Sequence, residues 1–105
     1  MATFVVLYST PGDPERFDRS YREGHLPLLL KTPGLESVDA YPVRRTLRGE
    51  PACHLLAVLT FADDDAMRAG MRSPEWAAAG ENLATFGGVD IATMFTVGEP
   101  ETYRP

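Results

Sequence analysis

Two proline-led helix starts, each following an extended apolar run, constrain the fold of this chain more than any other feature. "TFVVLYS", residues 3–9, is rich in β-branched and aromatic residues and reads as a strand. After the turn "TPGD", Asp13 is suited to an N-cap and Pro14 to the first helical position. "ACHLLAVLTF", residues 52–61, is a second clear strand, and "DDDAMRAGM" opens with aspartates that favour a helix N-terminus. Ser73 and Pro74 then restart a helix, with Trp76, Gly80 and Leu83 on its apolar face and "GG" at its end.

The remaining segments complete the order. Phe17, Tyr21, Gly24, His25 and Leu28 give the first helix one apolar face, and the helix is expected to run from about Pro14 toward Leu26. A Pro33-Gly34 turn leads to an extended segment at about 35–45, where Pro42 indicates an edge position or a bulge. "VDIATMFTV", residues 89–97, reads as the last strand, with Val89, Ile91, Phe95 and Val97 opposite Ala92 and Met94. The order β-α-β-β-α-β predicts an α+β, ferredoxin-like antiparallel sheet with helices on one face, as one domain over residues 1–105.

In the second strand-rich run, Cys53, Leu55, Ala57, Leu59 and Phe61 alternate with His54, Leu56, Val58 and Thr60, so both sheet faces are apolar. A face without helices would be a large exposed patch. Two copies packed sheet to sheet would cover it, and a homodimer is expected.

Composition narrows the function classes. The chain is 44% hydrophobic and 24% charged, as a soluble globular protein would be, with a net charge of -5 that argues against a nucleic-acid partner. No apolar run is long enough to span a membrane, and the N-terminal stretch lacks the basic region of a secretory signal, so a cytoplasmic location is expected. The single Cys53 forms no internal disulfide and reads as an inert thiol. His25, His54 and Cys53 are in no metal-ligand spacing, and no Gly-rich phosphate loop follows a strand, so neither metal nor cofactor is expected.

The residues "YREGHLPLLLKTPGL", preceded by "DPERFDRSY", and the later "CHLLAVLTFADDDAM", "SPEW" and "FGGVD" resemble the EthD-like family. The likeness rests on Tyr21, His25, Pro27 and Leu28, then the Pro33-Gly34 turn, and covers nearly the whole chain. It implies a dimeric α/β barrel, in a superfamily that includes cofactor-independent monooxygenases, muconolactone isomerases and haem-dependent enzymes. Gly24 departs from the polar residue often found before the histidine.

Tyr21 and His25 are four residues apart and share a helix face. Pro27 has no N–H, which is expected to place His25 in the last turn or at a kink. There the helix dipole would favour imidazolium and burial the neutral ring. Either effect suits a general acid/base, with Tyr21 holding a substrate or orienting the imidazole. The plainer reading is that His25 caps carbonyls and Tyr21 fills the core. His54, Phe17, Trp76 and Met94 are the expected substrate-binding residues, with Met67 and Met71 as further adaptable apolar groups. On the regular alternation of its strand, His54 shares a face with Leu56 and Val58. A strand histidine bonded to backbone or water is its plainer reading, and core packing that of Trp76.

The leading expectation is proton-transfer chemistry in an apolar cleft, acting on an aromatic or polyketide-like compound by dehydration, isomerisation or cofactor-free oxygenation. The rivals are a carrier for a hydrophobic metabolite and a structural dimer whose cleft is filled by its own side chains.

Overall fold

The computed structural model describes all residues from Met1 to Pro105. Strand β1 (Ala2–Ser9) leads into helix α1 (Pro14–Ser20), a π-helical turn (Tyr21–His25) and helix α2 (Leu26–Leu29). Strands β2 (Leu35–Pro42) and β3 (Cys53–Phe61) follow, then helices α3 (Asp64–Met71) and α4 (Pro74–Thr85). A single tight turn at Val89–Ile91 precedes the last strand, β4 (Ala92–Val97). The sheet is antiparallel with strand order β2-β3-β1-β4, the ferredoxin-like arrangement. Pro42 ends β2, an edge strand, where no neighbour needs its missing N–H.

The helix starts form as their sequences dictate. Asp13 accepts the Arg16 N–H, Asp63 the Ala66 N–H and Ser73 the Trp76 N–H, so each side chain satisfies one orphan donor. α3 packs close to the sheet because Gly70 has no Cβ. A methyl there would stand 2.8 Å from the Pro33 carbonyl oxygen and 2.9 Å from the Phe61 ring.

Three local expectations are corrected. The first helix does not stop near Leu26. The Leu26 N–H reaches back five residues to the Tyr21 carbonyl, and the helix continues to Leu29. The extra residue in this turn places Pro27 within the first turn of α2, where its missing N–H costs little. His25 therefore lies inside a continuous helical run and not at its negative end. The last strand begins at Ala92 rather than Val89. Gly88 packs so tightly beneath Leu83 that a Cβ would come within 2.4 Å of Leu83 Cδ1, and the chain turns once more before extending.

The third correction concerns His54. Tyr8 pairs with Leu55 and Ser9 with Cys53, leaving His54 as the extra residue of a β-bulge. The bulge breaks the alternation, and the imidazole faces α1 instead of sharing the Leu56 and Val58 face.

The core lies between helices and sheet. Phe4, Val6, Tyr8, Leu55, Ala57, Leu59 and Phe61 from the strands meet Phe17, Tyr21, Leu29, Met67, Ala79 and Leu83 from the helical layer. On the opposite face Val5 pairs with Val58 and Phe95, and Leu7 with Leu56, which in turn pairs with Tyr41. Phe95, Val97 and Tyr41 there are 43%, 45% and 55% exposed, so an apolar sheet face is left without a covering layer. No helix is long and apolar enough to cross a membrane.

Candidate functional site

The π turn and α4 together build an apolar cavity. Its volume is about 200 Å³, and its walls come from β1 (Phe4, Val6), β3 (Leu59), α2 (Leu29), α4 (Trp76, Ala79, Gly80, Leu83) and β4 (Met94), with His25 as the sole titratable side chain. The exposed Met94 and Gly80 mark its mouth, whereas His25 is 5% exposed. The cleft is thus not filled by the protein's own side chains.

His25 Nδ1 lies 3.0 Å from the carbonyl oxygen of Ala79. A carbonyl can only accept, so Nδ1 carries the hydrogen and donates it. In the neutral ring Nε2 is then an unprotonated acceptor, and it makes no hydrogen bond within the protein. Burial lowers the pKa of His25 below its ordinary value, while the Ala79 carbonyl opposes this by favouring the charged ring. Burial is the larger of the two influences.

Tyr21 supports the imidazole from behind. Its ring centroid lies 5.3 Å from that of His25 and 5.9 Å from the stacked ring of Phe17, and Tyr8 meets it edge-on at 5.6 Å. The Tyr21 hydroxyl is buried without a hydrogen-bond partner, and burial pushes its pKa up to about 12. Tyr21 stays a neutral phenol in the physiological range and does not line the cavity. The Tyr8 phenol is also raised, by burial first and by Tyr21 second.

The expected site residues thus separate into two groups. His25, Trp76 and Met94 meet at the cavity, with Trp76 edge-on to Phe4 at 5.2 Å between ring centroids. Phe17 and His54 lie elsewhere: His54 Nε2 is 2.7 Å from Asp18 Oδ1, and its ring meets Phe17 edge-on at 5.7 Å. This pair fastens the bulge of β3 to α1 and does not approach His25 within the cavity. Met67 is core, and Met71 lies outside the cavity.

Sequence reasoning did not identify Ala79 or Gly80 as site residues. Ala79 acts through its backbone, which leaves no side-chain signal. Gly80 did carry one: a glycine inside a helix costs about 1 kcal/mol relative to alanine and calls for a reason.

The pattern that defines the EthD domain matches residues 10–87. An uncharacterised 11.0 kDa protein in the thcB-thcC intergenic region of Rhodococcus erythropolis is 28% identical over 105 residues, spanning all of both chains. The crystal structure of an EthD family protein from Bacillus halodurans superposes with a TM-score of 0.86 at 28% identity, covering 95% of this chain and 99% of that one. SnoaB, a cofactor-independent oxygenase from Streptomyces nogalater, shares the fold with a TM-score of 0.62 at 18% identity, covering 96% of this chain and 94% of its own. A dimeric ferredoxin-like protein from Jannaschia is similar at a TM-score of 0.67 and 20% identity, covering 94% of this chain and 100% of that one.

Proposed function

The chain belongs to the EthD domain family, and from that premise we propose that it binds a small hydrophobic or aromatic molecule in the α4 cavity, with His25 as general base. The observation that carries this reading is the ring's tautomer. Ala79 holds Nδ1–H, so Nε2 is left as a free acceptor at the wall of an apolar cavity. Tyr21 acts as a positioning residue through its ring, since it touches His25 but not the cavity. In its resting neutral form His25 accepts a proton from an acidic C–H or O–H of the ligand at Nε2. The Ala79 carbonyl then stabilises the imidazolium, and the proton is returned to the product. Dehydration, isomerisation and cofactor-free oxygenation all begin with such a step. The fold supports more than one chemistry and does not choose among them.

The homodimer belongs to the same reading. Val5, Leu7, Leu56, Val58, Phe95 and Val97 form one apolar surface on the uncovered sheet face, and a second copy packed on it removes that surface from water. The likeness to a dimeric protein of the same fold supports this arrangement.

Deuterium exchange at the acidic C–H of 2-tetralone, followed in heavy water, tests the base. Exchange faster than buffer, lost in His25→Gln while binding persists, supports an enzyme. Binding without exchange in either protein supports the second reading, a carrier. That reading is favoured by the same apolar lining, which holds a ligand whether or not it reacts.

A further inference from the structure

We infer that the cavity takes an uncharged weak acid built on one aromatic ring or a compact pair of rings, admitted past Gly80 with its acidic hydrogen toward His25 Nε2. The inference rests on the reading of His25 as the base of a ligand site and adds the class of ligand and the residue that admits it.

Three independent observations converge. The first is charge. No lysine, arginine, aspartate or glutamate lines the cavity, and its only titratable side chain is His25. A carboxylate or phosphate would lose its hydration with no cation to replace it. The free ring nitrogen is an acceptor, so the group it meets must be a donor.

The second is size. The cavity measures about 200 Å³. An apolar protein cavity of about 150 Å³ holds benzene, and pockets for drug-sized ligands begin at about 300 Å³. One substituted ring or a compact bicycle fits between these limits, and a linear tricyclic compound would extend out through the mouth beside Met94 and Gly80.

The third is Gly80. It lies inside α4, where glycine is unfavourable. Gly70 and Gly88 are forced by close neighbours, but a Cβ at Gly80 would meet nothing within 4 Å. Packing does not require this glycine. Its bare backbone keeps the wall between Trp76 and Leu83 open at the cavity mouth. A long side chain there can extend over the opening without displacing the core.

The test uses the intact chain with phenol, 2-naphthol, benzoate and 1-anthrol as probes at neutral pH. Binding is read from the fluorescence of Trp76, the only tryptophan, and from the ring signals of His25. Phenol and 2-naphthol are expected to shift both, with benzoate and 1-anthrol weaker by roughly tenfold or more. Gly80→Leu is expected to abolish binding of both good ligands while melting no lower than wild type. Benzoate or 1-anthrol perturbing His25 at the same concentrations as phenol would overturn the inference yet leave His25 in a ligand site. Failure of every probe to reach His25 would sink the site reading and this inference together. Wild-type binding by folded Gly80→Leu would remove Gly80 from the account. If Gly80→Leu fails to fold, Gly80→Ser and Gly80→Val take its place, with affinity expected to fall as the side chain grows.

Discussion

His25 donates its Nδ1 hydrogen to the backbone carbonyl of Ala79 across 3.0 Å, joining the π turn of the first helical run to the middle of α4. This contact sets the tautomer, and with it which nitrogen a ligand meets.

The burial of the same imidazole predicts how stability depends on pH. Burial lowers the folded pKa of His25 below the ordinary 6.5, so between those values the unfolded chain binds more protons than the folded one. The contribution of His25 is complete above 6.5 and is lost as pH falls through its lowered folded value. Urea midpoints measured across the acidic range should fall with pH more steeply in wild type than in His25→Gln. Equal slopes would show that burial does not hold His25 neutral.

Tyr21 separates ring from hydroxyl. Its buried oxygen has no partner, so Tyr21→Phe should leave stability unchanged or raise it by up to about 1 kcal/mol. Tyr21→Ala should cost about 3–5 kcal/mol. The raised phenol adds an alkaline effect: its contribution is complete below 10.0 and is lost as pH rises through about 12. Tyr21→Phe should therefore resist alkaline unfolding better than wild type. A His25 titration unaltered in Tyr21→Phe would assign the positioning role to the ring.

Two glycines should respond in opposite directions. Gly70→Ala drives a methyl against the Pro33 carbonyl and the Phe61 ring, and should cost about 1–3 kcal/mol. Gly80→Ala meets no neighbour and should stabilise the chain by up to about 1 kcal/mol through helix propensity. Thermal melts of the two variants check the contrast, and a destabilised Gly80→Ala would contradict it.

Removing the contact between His54 and Asp18 tests its structural role. The contact is a partly exposed hydrogen bond, so a double-mutant cycle with His54→Ala and Asp18→Ala should return about 0.5–1.5 kcal/mol. The ring signals of His25 should not move. A large displacement would show that the two histidines communicate.

Phe95→Glu tests the uncovered sheet face. Phe95 is 43% exposed in the single chain, so the variant should fold with little loss, yet a charge buried there would oppose sheet-to-sheet association. Sedimentation should show a wild-type dimer and a variant monomer. A wild-type monomer would rule out this assembly at the concentrations used.

Much of the fold was legible because its signals are local. Asp13-Pro14, the three aspartates at 63–65 and Ser73-Pro74 each satisfy their own helix start, and the apolar runs around Val5 and Leu59 need no distant partner to read as strands. His25 and Tyr21 stood out by their spacing, and the structure does put their rings together. Errors arose where a backbone irregularity depended on packing. The π turn carried the helix beyond Leu26, the bulge turned His54 toward Asp18, and the tight contact of Gly88 with Leu83 delayed β4.

The sequence by itself determined the order of elements, their capped ends and an apolar stripe on each, because propensity, caps and periodicity act within a few residues. Tertiary structure alone decided what His25 is. The carbonyl that holds its Nδ1 hydrogen belongs to a residue 54 positions away, and the apolar walls beside it come from three strands and two helices. No local pattern encodes which distant backbone oxygen a side chain meets, or where packing leaves a space unfilled. Those features exist only once the helices lie on the sheet, and they turn an ordinary imidazole into a buried acceptor.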